Sequence, residues 1–153
     1  DADDLLEYQS DPETVRYIPW PQRNRAQVIE ALEKHANEAT ELPEATGDFA
    51  LLAWELRSTG QVIGQSNLFL IRASNHHAEI GWVTHPRFAR QGYALEATRA
   101  LIDWGFASLN LHRISATIDV RNTASAEFAE KLGLRREAEH IEDDWFKCDW
   151  TST

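Results

Sequence analysis

From Gln91 to about Leu109 the polar side chains Glu96, Arg99 and Asp103, and then Asn110, fall along one narrow stripe at helical spacing. Nearly all the remaining circumference is apolar or small: Ala94, Leu95, Ala97, Leu101, Ile102, Trp104 and Phe106. A helix with so little polar surface must have most of its circumference covered, so it is predicted to pack deeply against a sheet. Arg99 and Asp103, four residues apart, are placed to pair.

Strands to form that sheet precede the helix. Phe49 to Leu56 is a near-continuous apolar run, predicted to be buried on both faces. Ser58-Thr59-Gly60-Gln61 is a turn, and Val62 to Ile71 returns as a hairpin partner. A second turn at Ser74–His77 leads into Ala78–Thr84, which Pro86 stops. After the helix, Arg113 to Val120 alternates, with Ile114, Ala116, Ile118 and Val120 on one face and Arg113, Ser115, Thr117 and Asp119 on the other. Thr123 to Leu132 is a helix closed by Gly133. Leu134 to about Phe146 reads as a last strand, with Glu142 and Asp144 on one face. Upstream, a short helix from Ala2 to Ser10 is followed by a second short segment to Tyr17. The proline-interrupted run Tyr17-Ile18-Pro19-Trp20-Pro21 is irregular, and a helix resumes at Asn24 and ends before Leu42-Pro43. The expected architecture is one α/β (α+β) domain spanning residues 1–153, with a mixed sheet flanked by helices.

Charge separates this domain into regions. Residues 1–47 carry eleven acids against four bases, residues 137–153 six against one, and residues 48–136 eight against ten. The only net-basic segment therefore lies inside a protein of net charge −10. That balance disfavours nucleic acid and anionic membranes as partners, and suits a polyanionic small ligand facing a cationic substrate. The longest apolar run is strand length, far short of the roughly 18–20 residues of a spanning helix. There is no secretory leader pattern, and the single Cys148 leaves no internal disulfide, which fits a cytoplasmic setting.

Walker, dinucleotide-glycine, G-x-S-x-G and H-E-x-x-H motifs are all absent. His76-His77 is a turn doublet without partner ligands, so no metal is expected. Two segments carry chemistry. In Arg87…Ala89-Arg90-Gln91-Gly92-Tyr93-Ala94, a helix begins at a residue without a side chain, where unpaired N–H groups and the helix dipole can receive an anion. By itself the segment reads equally as a structural turn with exposed arginines. In Asn122-Thr-Ala-Ser125, Asn122 or Thr123 can cap the helix, and Ser125 stands in its first turn, where a hydroxyl can reach a cleft between strands.

Taken in order, the meander ending in Glu79-Ile80-Gly81-Trp82-Val83, the Gly92 loop and helix, the strand, Asn122-x-x-Ser125 and Lys131-Leu-Gly-Leu134 resemble the GNAT superfamily of acyl-CoA-dependent N-acetyltransferases. Within it, the chain looks like the RimJ/RimL-like branch. The resemblance implies the GNAT fold, mostly antiparallel, with a splay between the family's fourth and fifth strands. That family's first and last strands have no counterpart, so terminal strands are expected to be missing from the sequence.

The resemblance also implies acetyl-CoA as acyl donor, its pyrophosphate on the loop Arg87, Ala89, Arg90, Gln91, Gly92, Tyr93 and Ala94. In the family pattern Ala89 replaces an Arg or Gln, a loss that Arg90 can offset. The cofactor arm is assigned to Trp82, Val83 and Thr84 and to Asn122, Ser125 and Lys131. A backbone N–H near Val83 would steady developing negative charge. Ser125 is the candidate proton donor to the leaving thiol. Glu79, then Asp144, is the candidate base for a primary amine on a protein N-terminus, polyamine or aminoglycoside-like molecule. Tyr17 and Trp20, with Glu79, are expected to line the acceptor pocket, and a homodimer is expected. The rival reading is a non-catalytic acyl-CoA-binding module of the same fold.

Overall fold

The computed structural model describes all 153 residues. Its elements run α1 (Ala2–Gln9), α2 (Arg25–Glu38), β1 (Phe49–Leu56), β2 (Gln61–Arg72), β3 (His77–Thr84), α3 (Tyr93–Ser108), β4 (Arg113–Ser115), α4 (Thr123–Leu132), β5 (Asp144–Phe146) and β6 (Asp149–Thr151). One sheet takes the order β1-β2-β3-β4, antiparallel except for a parallel β3–β4 pair, and β5–β6 form a separate antiparallel hairpin.

Helices cover both faces. On one, Leu101 of α3 packs with Leu68, Leu70, Ala78, Ile80, Leu111 and Ile114, as the narrow polar stripe requires. On the other, Leu5 and Tyr8 of α1 and Val28 of α2 close over Val62 and Val83. α2 starts where Asn24 accepts from the Gln27 amide and the Gln27 side chain accepts from Asn24 N–H, a reciprocal cap. Tyr8 and Val28 are fully shielded, and burying side chains of that size is worth about 1.5–3 kcal/mol each.

Four expectations are corrected. β1 is an edge strand, so it is not buried on both faces, and Leu52 is 48% exposed. Arg99 does not pair with Asp103; its Nη2 donates to the Lys131 carbonyl at 2.9 Å, where the end of α4 offers unpaired acceptors. The strand read from Arg113 to Val120 pairs only over Arg113–Ser115, because β3 diverges from it beyond Glu79. Finally, residues 134–140 form no strand. Glu142 is left-handed (φ 49°), and the chain reverses at Lys147 and Cys148 (φ 50° and 67°) to give the β5–β6 hairpin. Left-handed residues without glycine gave no turn signal there.

Candidate active site

β3 and β4 are in register only at His77–Arg113, Ala78–Ile114 and Glu79–Ser115. Beyond that point β3 continues to Thr84 while residues 116–119 pair with no strand, so the two chains open into a V. This is the splay that the family resemblance implies between the family's fourth and fifth strands. A cavity of about 220 Å³ fills it, walled by Glu79–Val83 on one side and by residues 116–119, Asn122 and Ser125 on the other. Tyr17, Ile18, Pro19 and Trp20 close one face, and Gln65, Ser66, Asn67 and Phe69 of β2 form its floor.

Strand parity decides which peptide groups enter the V. His85 N donates to Ile63 O at 2.9 Å, and the unbroken register Gln65↔Val83 repeats that geometry two residues back. The Val83 peptide group is therefore turned toward β2, and those of Trp82 and Thr84 toward the splay. A donor at the cleft, expected near Val83, therefore comes from its neighbours Trp82 or Thr84. Parity also sends side chains to opposite faces: Trp82 meets Phe128 of α4 edge-on at 4.9 Å, whereas Glu79 and Gly81 face the side of the Tyr17–Trp20 loop.

β3 leads directly into the basic loop. Gly92 caps α3 in a left-handed conformation (φ 93°), and Arg90 is left-handed too (φ 60°). The first backbone bond of α3 runs from Glu96 N to Gly92 O (3.0 Å), and the amides of Arg90, Gln91, Gly92, Tyr93, Ala94 and Leu95 find no acceptor within the protein. A Cβ placed on Gly92 would meet nothing within 4 Å. Consecutive free amides, a helix dipole and open approach fit a pyrophosphate, so these residues suit the donor that the family resemblance implies. Gln91 Nε2 folds back onto Arg87 O (2.9 Å), and Ala89 ends the short turn Pro86–Phe88. Arg87 is not free: its Nη1 reaches Glu7 Oε2 at 3.2 Å, and the same oxygen meets Nε2 of buried His85 at 3.0 Å. Since His85 Nδ1 accepts from Arg87 N (3.2 Å), its Nε2 carries the proton toward Glu7. The cofactor-side loop is thereby tied to α1.

Asn122 caps α4 through Oδ1, accepting from Ser125 N at 3.1 Å, and both residues line the cavity. Lys131 lies in the last turn of α4 and does not line the cavity, about 9 Å along the axis from Ser125.

Of the two candidate bases, the structure brings Glu79 into the cavity, where Thr117 Oγ1 donates to its Oε2 at 2.9 Å across the V. Asp144 is exposed on β5 and does not line the cavity, and Glu142 sits in the preceding turn, so the two acids share no strand face. A second cavity carboxylate is Asp119, whose side chain is only 8% exposed. The Arg121 guanidinium bonds it through Nε (2.9 Å) and Nη2 (2.6 Å) and holds its carboxyl below the usual range. Sequence reading did not single out Asp119; its place on the polar face with Ser115 and Thr117 was the available signal.

A polar chain sets the Tyr17–Trp20 side of the cavity. Arg23 Nη1 donates to Gln9 Oε1 (3.0 Å), Gln9 Nε2 to Gln65 Oε1 (3.4 Å), and Tyr8 O–H to the same Gln65 oxygen (3.1 Å). Burial pushes the Tyr8 phenol pKa up, so it stays a donor. The Arg23 guanidinium also lies 4.8 Å over the Trp20 ring. Two cavity residues keep buried polar atoms without partners: Trp20 Nε1 and Asn67 Oδ1. Each such orphan costs about 1–3 kcal/mol. Asn67 occupies the space that a side chain at Gly81 would need, its Oδ1 standing 2.5 Å from an ideal Cβ there. No group of three or more His, Cys, Asp and Glu side chains gathers to hold a metal ion, and no helix is long and apolar enough to cross a membrane.

Residues 1–135 match the family described as "Acetyltransferase (GNAT) domain". The chain is 33% identical over 133 residues to the uncharacterized N-acetyltransferase YnaD of Bacillus subtilis (strain 168), covering 87% of this chain and 72% of that one. Its fold is similar to the GNAT-family acetyltransferase of Bacillus anthracis, with 28% identity, a TM-score of 0.85, and 99% and 84% of the two chains covered. It is also similar in fold to a spermidine N-acetyltransferase of Vibrio cholerae in complex with CoA and spermine, at 19% identity and a TM-score of 0.76, covering 99% and 85%. With a family match across most of its length and an open V between β3 and β4, the chain belongs to the GNAT acetyltransferase family and is an N-acetyltransferase.

Proposed function

We propose that the protein transfers acetyl from acetyl-CoA to the primary amine of a cationic acceptor, both held together in the V. The observation that carries this reading is the V itself, with Glu79, Asn122 and Ser125 on its walls, together with the free amides at Gly92 on the loop that follows β3. Acetyl-CoA supplies an acetyl group activated as a thioester. The amides of residues 90–95, with Arg90, hold the pyrophosphate, and Arg87 contributes while shared with Glu7. Peptide groups of Trp82 and Thr84, unpaired at the splay, receive the cofactor arm as a neighbouring strand would, with Asn122 and Ser125 on the opposite wall.

Glu79 takes a proton from the incoming ammonium, and Thr117 fixes the carboxylate that does so. Ser125 gives its hydroxyl proton toward the sulfur. Glu79 gives the wall its negative charge, Asp119 being paired with Arg121, and Tyr17 and Trp20 line the same cavity. Those features suit a protein N-terminus, a polyamine or an aminoglycoside-like amine. The spermine-bound V. cholerae fold relative supports a cationic amine in general. Asn122-x-x-Ser125 with Lys131-Leu-Gly-Leu134 supports the RimJ/RimL-like branch.

Calorimetric titration with acetyl-CoA and a thiol-release assay over an amine panel test the proposal. Glu79→Gln is expected to lower kcat by about 100-fold or more while leaving acetyl-CoA affinity intact, and Ser125→Ala to lower kcat as well. If acetyl-CoA neither binds nor raises the melting temperature, the reading is wrong.

A further inference from the structure

Glu7 of α1 reaches the segment between β3 and the anion loop, about 80 residues away in sequence. Its Oε2 takes two donors at once, Nε2 of His85 at 3.0 Å and Nη1 of Arg87 at 3.2 Å. His85 is buried, with the Tyr8 and Phe88 rings at 5.7 and 5.4 Å from its own. From His85 the contacts pass into the backbone. Nδ1 accepts from Arg87 N at 3.2 Å, and Arg87 O accepts from Gln91 Nε2 at 2.9 Å. Both backbone polar groups of Arg87 are thereby held, just before the run of free amides that begins at Arg90. The platform that carries Glu7 is fixed as well: Asp4 Oδ2 accepts from Val62 N at 3.2 Å, and Tyr8 and Gln9 bond Gln65.

We infer that Glu7 is a positioning residue for the acyl donor, a role that rests on the donor site proposed above. Through His85 it fixes the backbone that leads into the pyrophosphate loop. Through Arg87 it holds a counter-charge that the pyrophosphate must displace. The two contacts act with opposite sign. The His85 bond favours donor binding, because it keeps Arg87, and so the amides beyond it, in one orientation. The Arg87 pair opposes donor binding, because a guanidinium engaged by a carboxylate is withheld from a phosphate. The Arg87 and Glu7 side chains are 66% and 47% exposed, so solvent screens their pair and an anion of higher charge can draw Arg87 away. His85 has no such freedom, its side chain being 4% exposed, so its bond to Glu7 persists when Arg87 turns to the donor.

The test measures acetyl-CoA dissociation constants of the intact protein by calorimetry, and KM for acetyl-CoA and for S-acetylpantetheine, which lacks the pyrophosphate. Glu7→Gln keeps an acceptor for His85 Nε2–H and removes the charge that holds Arg87. Its acetyl-CoA constant should fall about threefold at low salt and less at high salt, while KM for S-acetylpantetheine moves by less than about twofold. Glu7→Leu removes both contacts, so the constant should rise about tenfold. In the Arg87→Ala background the gain from Glu7→Gln should vanish, as coupling through a shared partner requires. A purely structural Glu7 would give losses in both variants and equal effects on both donors. Glu7→Gln binding acetyl-CoA no tighter than wild type, or a gain that persists in Arg87→Ala, overturns the inference while wild-type binding stands. Glu7→Leu binding as tightly as Glu7→Gln overturns the part played by His85. Should Glu7→Leu fail to fold, Glu7→Gln alone and combined with Arg87→Ala still decide the matter. Failure of the wild-type protein to bind acetyl-CoA would instead bring down the wider functional reading together with this one.

Discussion

Gly92 sits at φ 93° with free space above it, so replacing it by alanine clashes with nothing but strains the backbone. Gly92→Ala is expected to destabilise the fold by about 1–2 kcal/mol and to weaken acetyl-CoA binding roughly tenfold, the latter read by calorimetry, because relaxation of the strain turns the first amides away. Arg90→Ala should raise the acetyl-CoA dissociation constant several-fold at low salt, with a smaller effect at high salt, since Arg90 is exposed and pairs with no acid of the protein. An unchanged constant would assign the affinity to the backbone alone. Residues of this sort were legible in sequence because a glycine before a long helix, amid arginines, has few local explanations. Asp119 was not: it is one polar residue in a strand pattern, and only the packing of Arg121 against it gives it a role.

At the scale of elements, periodicity identified α3 and α4 because their apolar faces repeat over more than two turns. It failed at the C-terminal hairpin, whose reversal uses Lys147 and Cys148 in left-handed conformations that favour glycine or asparagine. Cys148→Gly is therefore expected to stabilise the protein by about 1 kcal/mol, visible as a rise in melting temperature. Lys147 has a second task, donating Nζ to Val15 O at 2.5 Å and thereby docking the hairpin beside the Tyr17–Trp20 loop. Lys147→Met should raise KM for the amine several-fold and leave acetyl-CoA affinity unaltered, a separation that steady-state kinetics and calorimetry together would reveal.

For the molecule as a whole, acid stability is set by carboxylates that the fold keeps ionised. Hydrogen bonds from Arg113, and then from Arg135, hold the Glu137 carboxyl at about 2, and Arg121 lowers that of Asp119. Both lie below their unfolded values, so their stabilisation is complete above the ordinary carboxylate range and is lost as pH falls through the folded pKa. Melting temperature should decline between about pH 5 and pH 2, and Glu137→Gln should flatten that decline; circular dichroism melts across the range would check it. The Arg113–Glu137 pair also joins β4 to the strandless segment 134–140, a link between residues 24 apart that no local pattern predicts. By itself the sequence determined the order of helices and strands as far as α4, the glycine loop and the mixed sheet, because those follow from side-chain periodicity and backbone preference over short stretches. Only the tertiary structure decided where β3 parts from β4, which peptide groups face the opening, and that Glu79 reaches the cavity while Asp144 does not. Strand divergence and register depend on packing between distant segments, and so lie beyond what neighbouring residues specify.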